Sequence, residues 1–150
     1  MSELTPFDDQ LAGLIGALSP ASRRRLAAEI ARQLRAAQQQ RIRQQKAPDG
    51  SSYETRKRQP LRAKKGRIKR AMFQKLRTSR YMKASGCNDA AVVEFTGKVQ
   101  RIAQIHQLGL KDRPNPHAQD VQYPERQLLG FGQNERALIE GLILKIVQET

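Results

Sequence analysis

Residues 50–66 contain only three side chains, Tyr53, Leu61 and Ala63, with a reason to leave water. A core cannot run through such a stretch, so it has to be assembled from the sequence on either side. Charge concentrates in the same region. Between Ser22 and Lys83 lie 21 basic residues against three acids (Glu29, Asp49, Glu54), a net of +18. The remainder carries seven basic and 11 acidic residues, a net of −4. The +14 chain of 150 residues is thus a basic segment joined to a mildly acidic remainder, and it calls for a polyanionic or acidic partner. Nine cations fall in the fifteen residues from Arg56 to Arg70: Arg56, Lys57, Arg58, Arg62, Lys64, Lys65, Arg67, Lys69 and Arg70. Packed this closely, they repel one another until an anion arrives. They are candidate contacts to DNA phosphate or to an acidic protein surface, and the blander alternative is a solvated loop that aids solubility. No aromatic interrupts the run, and the chain has four Phe, three Tyr and no Trp. That argues against base stacking and for sequence-nonspecific, salt-sensitive contacts.

Helical signals flank this segment. Thr5-Pro6-Phe7-Asp8-Asp9 combines a cap, a first-turn proline and two acids that complement the dipole. Phe7, Leu11, Leu14, Ile15 and Leu18 then share a face. Ser19-Pro20 repeats the start signal, with Leu26, Ile30 and Leu34 at four-residue spacing in a helix expected to reach Gln45. After Ala37 the sequence is almost all Gln and Arg, which reads as a solvated or partner-seeking extension. Pro48-Asp49-Gly50 is a turn. Ile68, Met72 and Leu76, with Phe73 beside them, predict a helix over 67–78. Tyr81–Ser85 and Ala90–Phe95 around Gly86–Asp89 predict a β-hairpin. Lys98 to Leu108 fits a short helix with Val99, Ile102, Ala103 and His106 inward and Gly109 as its C-cap. Lys111 to His117 reads as loop, Asp120–Tyr123 as a short strand, and a final helix capped by Asn134 turns Leu138, Ile139, Leu142 and Ile146 inward. The expected class is α+β, with helices at both ends and a small antiparallel sheet between.

Chemistry is scarce. His106 has no evident nucleophile or carboxylate partner, so packing is the favoured role. His117 lies in a proline-rich loop. The single cysteine, Cys87, allows no disulfide within the chain and no cysteine zinc cluster. No catalytic, cofactor or metal residue is assigned. Residues 1–20 open with Glu3, Asp8 and Asp9 and lack the positive start of a signal peptide. No apolar run approaches the roughly 18 residues of a membrane span.

Two ordered stretches stand out: Arg101-Ile102-Ala103-Gln104-Ile105-His106-Gln107-Leu108-Gly109-Leu110 and Val121-Gln122-Tyr123-Pro124-Glu125-Arg126-Gln127-Leu128-Leu129-Gly130. Together they resemble the phage virion morphogenesis family of contractile-tailed temperate phages. Leu18-Ser19-Pro20, Pro48-Asp49-Gly50 and Met72-Phe73-x-x-Leu76 fit as well, so the resemblance spans nearly the whole chain. It implies a structural, non-enzymatic protein of the virion head–tail junction, assembled in the host cytoplasm, that completes the tail for joining to a filled head. It further implies a ring-forming, tail-terminator-like subunit. The implied partners are itself as a hexameric ring, tail-tube or other neck and connector proteins, and packaged double-stranded DNA, with no membrane and no cofactor. The organisation expected is one tail-completion domain over 1–150, with a helical region over 5–46 and a basic loop over 47–66. Arg101, Ile102, His106, Gln107, Gly109, Tyr123, Pro124, Arg126, Leu129 and Gly130 are the motif residues, structural or interfacial. Arg101 and Arg126 either pair with acids such as Asp120 or Glu125 or reach across a subunit boundary. A sequence-nonspecific nucleic-acid-binding protein is the competing reading; the missing aromatics and the lack of a helix-turn-helix weigh against it.

Overall fold

The computed structural model describes residues 6–56 and 71–149, and the side chains from Asp8 onward. The elements are α1 (Pro6–Gly16), α2 (Pro20–Arg43), β1 (Met82–Gly86), β2 (Ala91–Phe95), α3 (Gly97–Leu108), β3 (Lys111–Asp112), β4 (Val121–Gln122) and α4 (Gln133–Glu149). The class is α+β. There are two separate two-stranded sheets, β1-β2 and β3-β4, rather than one sheet between the helices. Strand β3 falls where the sequence predicts a loop. Two residues paired in antiparallel register, Lys111 with Gln122 and Asp112 with Val121, are too short to leave a period in the sequence. No helix among the described residues is long and apolar enough to cross a membrane.

The chain divides into two compact units. The first comprises Met1–Ala37, Lys83–Glu94 and Phe131–Thr150. Its core is built from Leu11, Leu18, Leu26, Leu142, Ile143 and Ile146, with Leu14, Ile15, Ile30, Leu138, Ile139 and Val147 packed against them. Each such side chain, fully buried, stabilises by about 1.5–3 kcal/mol. The cap of α2 is as read: Ser19 Oγ accepts the Ser22 amide at 3.1 Å, ahead of Pro20 in the first turn. The cap of α4 differs. The helix starts at Gln133, so Asn134 lies inside it, and buried Glu135 reaches back to accept the Gly132 amide at 3.1 Å. That is the acidic half of a capping box. The hairpin closes with Cys87 N–H donating to Ala90 O at 2.9 Å; so short a connection joins antiparallel strands only. A groove of about 550 Å³ runs between α1 and α4, walled by Leu11, Ala12, Ile15, Ile139 and Ile143. Asp8, Arg136 and Glu140, joined in ion pairs, line it too, as does the 73 % exposed Phe131.

The second unit comprises Gln38–Met82 and Phe95–Gly130. Its buried residues include Ile42, Tyr53, Met72, Leu76, Met82, Phe95, Ala103, Ile105 and Leu128. Here the predicted solvated end of α2 is corrected. Gln38 is only 2 % exposed and Ile42 is fully buried. The 38–42 turn continues the inward stripe of Ala27, Ala31 and Leu34, with a glutamine in a core position. The helix ends in a Schellman arrangement: Lys46 N–H donates to Arg41 O and Gln45 N–H to Ile42 O, with Gln45 at φ 60°. Residues 71–81 form a series of turns rather than the predicted helix. Phe73 has φ 67°, in the left-handed region through which no α-helix continues. Residues 67–70 of that predicted helix, Thr5 of the first cap and residues 57–66 of the basic loop lie outside the described residues.

Candidate functional site

The two motif stretches meet in the second unit, and one side chain holds them together. Gln107, near the end of α3, accepts the amides of Leu128 and Leu129 on Oε1 at 2.8 and 2.9 Å. Its Nε2 donates to Leu129 O at 2.9 Å. Gly109 caps the helix at φ 67°, its amide donating to Ile105 O. A side chain there would also strike the following turn, since a Cβ would lie 2.9 Å from Glu125 N. The Arg126 amide donates to His106 O at 2.7 Å and that of Tyr123 to Leu110 O at 3.1 Å. Gly130 N–H donates to the buried Gln38 Oε1 at 3.1 Å, and Arg41 donates to Leu128 O at 3.0 Å. These bonds satisfy backbone groups in a segment with no regular structure of its own.

The same cluster grips both roots of the basic stretch. Arg126 is 5 % exposed; its Nε donates to Glu54 O at 2.8 Å and its Nη2 to Thr55 O at 3.3 Å. Gln45 accepts the Met72 amide at 2.7 Å and donates to Met72 O at 2.9 Å. Between these anchors runs a file of rings. Tyr53 meets Phe73 edge-on at 5.8 Å, Phe73 meets His106 at 4.9 Å, and His106 meets Tyr123 at 5.2 Å. Such edge contacts are worth about 0.5–1.5 kcal/mol each beyond area burial. The chain therefore leaves at Tyr53 and returns at Phe73, beside its point of departure. Tyr53 Oη donates to Gln127 O at 2.8 Å.

Electrostatics follow from burial. Desolvation holds Arg126 below the ordinary arginine value, with Glu54 opposing and Arg56 adding to the effect. It also pushes Tyr53 up to about 12, against the pull of Arg41. His106 is lowered, first by burial and then by the cations Arg126 and Arg56. Its Nδ1 is buried and meets no hydrogen-bond partner among the described residues. Among those residues no three His, Cys, Asp or Glu gather where a metal ion would sit. Cys87 and His117 are exposed.

Of the nine basic candidates, Arg56 is described, exposed and adjacent to the Arg126 anchor. Lys57, Arg58, Arg62, Lys64, Lys65, Arg67, Lys69 and Arg70 lie outside the described residues. Among the motif residues, His106, Gln107, Gly109, Tyr123, Arg126, Leu129 and Gly130 take part in the contacts above; Pro124 is half-buried between Tyr123 and Glu125. Ile102 and Arg126 depart from expectation, whereas Arg101 does pair with an acid, though with neither of the two named. Ile102 is 52 % exposed rather than inward, because α3 turns Ala103 and Ile105 into the core. Arg101 pairs at 3.1 Å with Asp112, Asp120 pairs with Arg113, and Arg126 binds carbonyls. Gln38, Arg41 and Gln45 go beyond the expected residues, and Tyr53 and Phe73, expected only as core-seeking and motif side chains, join the anchor. The available signal was spacing: positions 38, 42 and 45 continue the helical period of Leu34.

The phage virion morphogenesis family matches residues 2–148 of this chain. Tail completion protein S of Escherichia phage P2 is 46% identical over 145 residues, covering 96% of this chain and 97% of that protein. No solved structure matches it.

Proposed function

This chain belongs to the phage virion morphogenesis family, and on that basis we propose that it is a structural protein that completes a phage tail and joins it to the DNA-filled head. The end-to-end similarity to a tail completion protein carries the reading. The motif geometry is consistent with it: Gln107, Arg126 and Gly130 spend their polar groups on backbone bonds, a use that needs architecture and no reaction. In this reading the protein is a tail terminator or neck component at the head–tail junction, acting as a hexameric ring against tail-tube or connector proteins. A ring requires two unlike surfaces on each subunit. The basic stretch from Arg56 to Arg70 meets packaged DNA or an acidic neighbour, and the anchors at Glu54–Thr55 and Met72 set where it departs.

The test is complementation in vitro. The recipients are extracts of cells infected with a P2 mutant that lacks tail completion protein S. Purified chain added to them is expected to restore plaque-forming particles. If folded protein restores none, while the P2 protein does, the reading fails.

A further inference from the structure

We propose that the exposed Ile102 edge of α3 docks into the α1–α4 groove of a second copy, joining subunits head to tail. The inference deepens the proposed ring and rests on it for its biological setting. Ile102 belongs to the motif helix yet lies outside the buried core of its own unit: it is 52 % exposed. Arg101 beside it is 83 % exposed, and its pair with Asp112 is a surface pair that contributes little. Lys98 lies one turn before Ile102 on the same face. The edge is an apolar knob flanked by two cations, on a helix with no acid. The groove has the complementary character. Its walls are apolar (Leu11, Ile15, Ile139, Ile143), and Asp8 and Glu140 share the single cation Arg136. Its lining carries Asp8 and Glu140 against Arg136, a net of −1, with exposed Asp9 next to Asp8 in the first turn of α1; Glu135 is spent on the Gly132 amide and Glu149 on Arg25. An apolar cleft with an acidic surround fits an apolar knob with a basic one, the pairing that steers association and excludes wrong registers. Knob and groove are different surfaces, so the contact is heterologous and propagates into open chains or closes into a ring.

Two variants of the full-length chain test this by sedimentation velocity. Ile102→Asp removes the knob, and Ala12→Arg places a cation in the groove wall; both positions are exposed. Wild type is expected to form oligomers that grow with concentration and shrink with salt. Each variant alone should remain monomeric, with association weakened about thirtyfold or more, as at an interface hot spot. Mixed, the intact groove of Ile102→Asp should take the intact knob of Ala12→Arg, giving one-to-one pairs and nothing larger. Should circular dichroism show either variant unfolded, Arg101→Glu and Glu140→Lys probe the same two surfaces. A monomeric wild type at every concentration, an Ile102→Asp chain that assembles like wild type, or a mixture that does not pair overturns the proposal. The plaque assay separates this from the functional reading. A wild-type chain that restores plaques without associating sinks the docking alone. One that associates through these surfaces but restores no plaques sinks the tail-completion role alone.

Discussion

Gln107 is the residue on which the motif turns. Its carboxamide satisfies three backbone groups of Leu128 and Leu129 that no strand or helix would otherwise pair. Replacing it by Leu keeps the volume and strands two amides, each costing about 1–3 kcal/mol when buried without water, while Leu129 O keeps Gln127 Nε2 as a donor at 3.4 Å. Because the site is only half-buried, we expect Gln107→Leu to lose about 2–4 kcal/mol. This should appear as a lower urea midpoint at unchanged slope. Gln107→Glu retains the acceptors and loses one donor, so it should lose less; an equal loss in both variants would mean that the amide acceptors are not what matters. His106 gives a pH dependence. Its pKa is lowered in the fold, so between the folded value and about 6.5 the unfolded chain binds the proton more readily. Its contribution to stability is therefore complete above about pH 6.5 and is lost as pH falls towards the folded pKa. His106→Phe keeps a ring between Phe73 and Tyr123 and removes the titration. The melting temperature of wild type should fall relative to this variant between pH 7.5 and pH 5.5; parallel curves would rule the linkage out.

At the scale of elements, long periodic segments were legible and local compensations were not. The helices α1, α2, α3 and α4 and the hairpin follow from apolar spacing and turn chemistry, each within a residue or two at its ends. The buried end of α2 escaped because its core position is a glutamine; polarity marks a residue as exposed unless its partner, here the Gly130 amide, is known. The turns at 71–81 escaped for a related reason. The spacing of Met72 and Leu76 is helical and both are buried, but Phe73 takes a left-handed backbone while its ring meets Tyr53 and His106. The site was half legible. The motif stretches were visible as strings, whereas the anchors Gln45 and Tyr53 lie far from them in sequence. The hairpin makes one further demand. A Cβ on Gly86 would stand 2.4 Å from Ala28 N and 2.5 Å from Ala27 C, both backbone atoms of α2. Gly86→Ala should thus destabilise by about 1–3 kcal/mol, the usual range for overpacking. Gly13→Ala, facing open space in α1, should stabilise by about 0.5–1 kcal/mol. Thermal unfolding of the pair checks both signs, and a neutral Gly86→Ala would mean the hairpin does not press on α2.

At the scale of the whole molecule, the governing fact is charge. A chain at +14 attracts any polyanion, so affinity for DNA alone would say little; its salt dependence says more. Each phosphate neutralised lowers the slope of log K against log salt by about 0.9 for duplex DNA. If the nine cations from Arg56 to Arg70 meet DNA, changing all nine to Gln should reduce that slope by up to about eight units, with equal effect on duplexes of unrelated sequence. The roots of the stretch are held by Arg126 and Gln45 through main-chain carbonyls and an amide. Arg56 repels Arg126 and His106 and lowers both, so removing its charge eases the anchor, and the nine-Gln variant should unfold at or slightly above the wild-type urea midpoint. Titration of a fluorescent duplex between 50 and 300 mM salt, read beside that midpoint, separates the possible outcomes. A slope change without loss of stability assigns the stretch to DNA. An unchanged slope with loss of tail completion in extracts assigns it to an acidic protein surface. A fall in stability makes it part of the fold, and the partner would then meet positive charge on the first half of α2, where Arg24 is exposed and Arg25 and Arg32 are held only by surface ion pairs.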